Sequence, residues 1–127
     1  MRNTPEVMTH MKPDEVFIFG SNEAGIHGAG AALLALRQFG AIRGQGVGLQ
    51  GRSYGLPTKD DDLKVLPLES IQEYVNDFLA FARRNPKTKF YMTKIGCGLA
   101  GFSVEDIAPL FQKNSIPDNV WLPEEFW

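Results

Sequence analysis

Apolar and polar positions alternate in blocks along the chain, and most blocks have a recognisable period. Glu15-Val16-Phe17-Ile18-Phe19 is a β-branched and aromatic run closed by Gly20, which predicts a buried central strand. Ala29 to Phe39 (AGAALLALRQF) is made of good helix formers and stops at Gly40, a C-cap residue type. Gly20 to Gly28 is therefore a strand-to-helix connection. Residues 40–53 are glycine-rich with no clear period, and predict a long loop or an irregular strand pair. Ser53 to Thr58 (SYGLPT) predicts a short strand, with Pro57 favouring its end or an edge. Lys59-Asp60-Asp61-Asp62 follows as a charged turn. From Leu68 to Arg84, Ile71, Tyr74, Val75, Phe78, Leu79 and Ala82 fall at helical spacing. Lys89 to Ile95 predicts another strand, running into Gly96-Cys97-Gly98-Leu99-Ala100-Gly101. Ser103 with Asp106 forms a capping-box variant opening a helix to about Lys113, and Asn119 to Leu122 predicts a last strand.

Residues 1–14 are polar, contain Pro5 and Pro13, and read as a loosely held lead-in to a single domain spanning 1–127. Strands alternating with helices indicate a three-layer α/β domain with a mixed or mostly parallel central sheet flanked by helices. The composition, 43% hydrophobic and 22% charged, supports a packed core and excludes general disorder. A formal charge of −2 argues against holding nucleic acid by bulk electrostatics. Cys97 is the single cysteine, so no intrachain disulfide forms and a reducing, cytoplasmic setting is expected. No run approaches signal-peptide or membrane-spanning length, so no membrane partner is expected. Two histidines and one cysteine far apart give no metal-ligand spacing, and no metal or cofactor is expected.

Glycine is distributed unevenly. Ten of the thirteen lie between Gly20 and Gly55, and the other three are Gly96, Gly98 and Gly101. Both clusters include a loop that follows a predicted strand and precedes a predicted helix. Ligands of α/β sheets sit at those strand ends, where helix N-termini offer free N–H groups to phosphate. Glycine lacks the Cβ that would hold a phosphate away from the backbone. Two such loops could clasp a diphosphate from both sides, although tight packing alone also uses glycine there. Neither loop is a P-loop or a convincing dinucleotide fingerprint.

His27-Gly28-Ala29-Gly30-Ala31-Ala32, Phe39-Gly40, Thr58-Lys59 and Ile95-Gly96-Cys97-Gly98-Leu99 together resemble macrodomains. The similarity is greatest to the branch holding the terminal ADP-ribose glycohydrolase and the antitoxins that reverse DNA ADP-ribosylation. Order and spacing agree over roughly residues 16–112. The resemblance implies a macrodomain-like fold that binds ADP-ribose or a related NAD-derived nucleotide. It implies that Gly28, Ala29 and Gly30, with Gly96, Cys97, Gly98, Leu99, Ala100, Gly101 and Phe102, hold the diphosphate and distal ribose. Ser21 and Asn22 would lie at the adenosine end.

In that branch a lysine attacks the anomeric carbon and an aspartate assists proton transfer. Lys59 takes the lysine position, and Ala100 stands where the aspartate would be. Asp60, Asp61 and Asp62 offer a compensating carboxylate, or simply a solvated turn. His27 is either a general base, a phosphate partner or a structural residue; Cys97 is either a nucleophile or a small packing residue. Tyr54 and Phe102 either stack on the ligand or fill the core, and Trp121, Phe126 and Trp127 either pack on the domain or mark a self-association surface. Three functions follow: a module binding ADP-ribose or its relatives; a hydrolase using Lys59 on ADP-ribosylated protein or nucleic acid, or on a phosphorylated ADP-ribose derivative; and a non-catalytic oligomeric interaction protein.

Overall fold

A computed structural model describes residues 1–127. The elements, in chain order, are β1 (Glu15–Asn22), α1 (Gly30–Gln38), β2 (Gly48–Gln50), β3 (Ser53–Lys59), α2 (Leu68–Arg84), β4 (Lys89–Met92), α3 (Val104–Gln112), β5 (Val120–Trp121) and a 3-10 turn (Glu124–Phe126). The sheet order is β2-β3-β1-β4-β5. β1 pairs in parallel with β3 and β4, β4 in parallel with β5, and β2 antiparallel with β3. The mixed sheet and its flanking helices are the expected α/β class.

The continuous apolar run in β1 is explained by burial on both faces. Val16 and Ile18 join a large core with Tyr54, Leu56, Phe90 and Met92 and the apolar faces of α2 and α3. Phe17 and Phe19 point the other way, into a smaller core with Ala32, Ala35 and Phe39 of α1. Small alanines let α1 pack closely against those two phenylalanines.

Several boundaries differ from expectation. β1 continues through Ser21 and Asn22, because β3 runs alongside and pairs with both positions. β4 stops at Met92: the Thr93 N–H makes the last ladder bond, to the Ile18 carbonyl at 3.1 Å, and the Thr93 hydroxyl donates to the same carbonyl at 2.7 Å. Pro57 is in an interior strand, not an edge one. It is tolerated because β2 covers only Ser53, Tyr54 and Gly55, leaving Pro57 without a neighbour on that side.

Residues 2–4 of the lead-in are anchored to the sheet. Thr4 donates to the Leu122 carbonyl and Leu122 to that of Arg2, so the N-terminus extends the sheet past the two-residue β5. The Arg2 guanidinium donates to Val120 and Pro117 carbonyls at 3.1 and 3.0 Å and lies over Trp127. The Trp127 indole N–H in turn bonds the Arg2 carbonyl at 3.0 Å, and Phe126 is fully buried. The tail aromatics thus pack on the domain. No helix is long and apolar enough to cross a membrane.

Candidate functional site

The chain leaves β1 to build α1, β2 and β3 on one side, then crosses by α2 to place β4 on the other. This is a topological switch, and it opens a crevice beyond the carboxyl ends of β1, β3 and β4. A cavity of about 420 Å³ occupies that place. Its volume is that of a small-molecule site, roughly 300–1,000 Å³.

Ser21 and Asn22 supply its floor, Gly28, Ala29 and Gly30 one wall, and Lys59 another. Gly96, Gly98, Leu99 and Ala100 close it from the far side. The N–H groups of Gly28, Ala29, Gly30, Ala31 and Ala32 meet no acceptor within the chain. Neither do those of Gly96, Gly98, Leu99 and Ala100. α1 has Ala29 at its N-cap position, with no side-chain cap and no acidic residue in its first turn. Its free N–H groups and the positive end of its dipole therefore face the cavity unquenched. Lys59 and Lys94 are the charged residues of the lining; no Asp, Glu or His is among them. The site is a concave surface of backbone donors with two cations, which is the chemistry of anion binding.

α3 is different. The Ser103 hydroxyl accepts from Asp106 N–H at 3.3 Å, and the Asp106 carboxylate accepts from Ser103 N–H at 3.1 Å. This reciprocal box occupies the Ser103 and Asp106 N–H groups, and no residue of α3 belongs to the cavity lining. The second glycine loop contributes through Gly96, Gly98, Leu99 and Ala100 alone; Cys97 is absent from the lining and donates its N–H to the Lys94 carbonyl at 3.2 Å. Phe102 donates its N–H to the Gly96 carbonyl at 2.8 Å and packs on the large core; Gly101 closes the turn onto the Gly98 carbonyl at 3.0 Å. Neither reaches the cavity lining.

His27 is also absent from the lining. It is 2% exposed, and its Nε2 lies 3.0 Å from both the Ile42 and Gln45 carbonyls, so Nε2 carries the proton and donates. Its ring meets the edge of Phe19 and ties the 40–47 loop to the start of α1. Cys97 is half-buried against the core, and burial pushes its thiol up, opposed by Lys94 and reinforced by Asp106. A raised thiol is a poor nucleophile. Tyr54 packs edge-on to Phe78 inside the core.

The polar groups of Ser21 and Asn22 are engaged internally. Asn22 accepts from Ile26 N–H at 2.9 Å and donates to the Ile26 carbonyl at 2.7 Å, while the Ser21 hydroxyl donates to the Gly46 carbonyl. They shape the first loop and leave their backbone at the cavity floor. Asp60 folds on itself, accepting from Asp62 and Lys64 N–H groups at 2.9 Å, so the acidic run is a self-contained turn.

Of the glycines from 44 to 51, obscure in the sequence, Gly46 and Gly51 are explained by contact and Gly44 and Gly48 by left-handed φ values of 95° and 89°. A Cβ on Gly46 would strike the Asn22 carbonyl, and one on Gly25 would strike Gly44. The 40–51 loop is pressed against the end of β1 and buttresses the cavity without lining it.

Thr58, of the Thr58-Lys59 motif, lines the cavity, as do Leu63, Thr93 and Lys94, to which no sequence motif points. Thr93-Lys94 follows a buried strand just as Ser21-Asn22 does. The same rule of polar residues after a buried run would have found them, had the β4 boundary been drawn at Met92.

No family model matches the chain, and no curated protein does. Solved structures do share its fold. A macrodomain protein from Streptomyces coelicolor superposes with a TM-score of 0.57 over 94% of this chain and 91% of its own, at 18% identity. A protein of unknown function from Bacteroides thetaiotaomicron superposes with a TM-score of 0.60 over 93% of this chain and 88% of its own, at 17% identity. The chain has a mixed-sheet α/β fold of the kind seen in that macrodomain protein.

Proposed function

We propose that the cavity binds ADP-ribose or a closely related NAD-derived nucleotide, with its diphosphate between the 28–32 and 96–100 segments. One observation carries this reading: free N–H groups from two separate loops converge on a single cavity with two lysines and no carboxylate. The resemblance of the same two loops to macrodomain sequences supports it, as does the shared fold.

The protein acts by recognition, not by turnover. Hydrolysis of a glycosidic bond is ordinarily performed by a pair of carboxylates. The cavity lining holds no Asp, Glu or His, and Ala100 stands where the resemblance places an aspartate. Lys59 ends β3 at the cavity wall and makes no ion pair, so its ammonium is available to a phosphate. Lys59→Ala is expected to weaken ADP-ribose binding about tenfold, the scale of one charge-assisted hydrogen bond. Titration calorimetry on the variant measures this, and an unchanged affinity would remove Lys59 from the site. Release of free ADP-ribose from ADP-ribosylated protein or DNA by the wild-type protein would overturn the recognition reading.

A further inference from the structure

Lys94 belongs to two cavities at once. With Thr93 it lines the nucleotide cavity, and it also lines a second cavity of about 420 Å³ bounded by Thr4, Glu6, Glu124 and Glu125. Its ammonium is paired with the Glu125 carboxylate in the one ion pair of the molecule. Glu125 raises the lysine above its ordinary range, and Glu6 adds to the effect, so the cation persists.

The two partners differ in freedom. Glu125 sits on the 3-10 turn, whose Phe126 is fully buried and stacks on Phe111 at 5.5 Å, and whose neighbour Trp127 is tied to Arg2. Lys94 sits in the loop after β4, half-exposed on a flexible four-carbon stem. The turn that carries Glu125 is anchored by Phe126 and Trp127, while the Lys94 stem reaches from the rim shared by the two cavities, so its ammonium can turn either to Glu125 or to an anion beside Gly96 and Gly98.

We propose that Glu125 is an internal competitor for a phosphate-binding cation: it holds Lys94 in the unliganded protein and yields it to a ligand phosphate. The inference rests on the anionic ligand of the preceding section and adds how its affinity is set. A ligand without phosphate near Lys94 gains nothing from the exchange. An exposed ion pair is worth little, so the competition changes affinity by about two- to fivefold.

The test is a double-mutant cycle on the full chain, read by calorimetry with ADP-ribose. Glu125→Gln is expected to tighten binding about two- to fivefold. Lys94→Met weakens binding, and in its background Glu125→Gln has no effect. Glu124→Gln removes the same charge from the same turn without freeing Lys94, and is expected to leave affinity unchanged. Equal gains from Glu124→Gln and Glu125→Gln, or a gain from Glu125→Gln that persists with Lys94→Met, would reduce the effect to net charge and overturn the proposal. Unchanged or weaker binding by Glu125→Gln would overturn it too. The same cycle run with inorganic pyrophosphate separates the two readings. Tightening for pyrophosphate without any binding of ADP-ribose would sustain the competitor and sink the nucleotide. Binding of neither probe to wild type or Glu125→Gln would sink both.

Discussion

Tyr54, Tyr74 and Tyr91 are all of the chain's tyrosines, and each has its phenol pushed up to about 12 from the ordinary 10.0. Burial is the largest cause in every case. Tyr74 and Tyr91 also donate to Glu23 and to Glu15, whose negative charges disfavour a phenolate. A raised folded value means that the neutral phenols contribute stability in full below the unfolded value. That contribution is lost as pH rises through about 12. Absorbance titration of the phenolate band is therefore expected to show no tyrosinate forming near the ordinary value while the protein stays folded. A reversible transition there would mean that these contacts are not made. The same residue-scale physics separates candidates with reactive side chains. His27 and Cys97 carry versatile chemistry, but the fold uses one as a donor to two carbonyls and half-buries the other against the core. Sequence names such residues without saying which way they face, since facing depends on chain segments far away, such as Ile42 and Gln45 for His27.

At the scale of elements, the two glycine loops do different work. The first opens α1 uncapped, and the second leads into an α3 whose N-terminus is closed by its own box. Ser103→Ala is expected to lower stability by about 1 kcal/mol, the usual loss of an N-cap. It should leave ADP-ribose affinity unchanged, because the donors it frees lie outside the cavity. Chemical denaturation and calorimetry check the two halves, and a large loss of affinity would place α3 in the site. Periodicity located α2 and the capping box from the sequence alone, because both signals are local. The ends of β1 and β4 were less legible. β1 extends to Asn22 only because β3 pairs with it, and β4 ends where Thr93 bonds back to Ile18. Those two boundaries decide the cavity floor, so Ser21 and Asn22 were found while Thr93 and Lys94 were missed. Their strand-end position was the readable part; the Lys94–Glu125 pairing was not, since it joins segments at opposite edges of the pattern.

At the scale of the molecule, a slightly acidic chain places two lysines and the free backbone donors of two loops in one crevice. The sheet order makes that crevice, and the 40–51 loop braces it from behind the end of β1. Glycine at the site is then a matter of access as much as of conformation. Gly98 has ordinary backbone angles, and a side chain there would meet no protein atom within 4 Å. Valine at that position is compatible with folding, and it would occupy the space where a phosphate approaches the 96–100 N–H groups. The most direct measurement is calorimetric titration of ADP-ribose into wild-type protein and Gly98→Val, with thermal unfolding run beside it. Saturable binding by the wild type, abolished in a variant of near-wild-type stability, is the expected result. No heat from the wild type at millimolar ligand, or undiminished affinity in a folded Gly98→Val, would contradict the account.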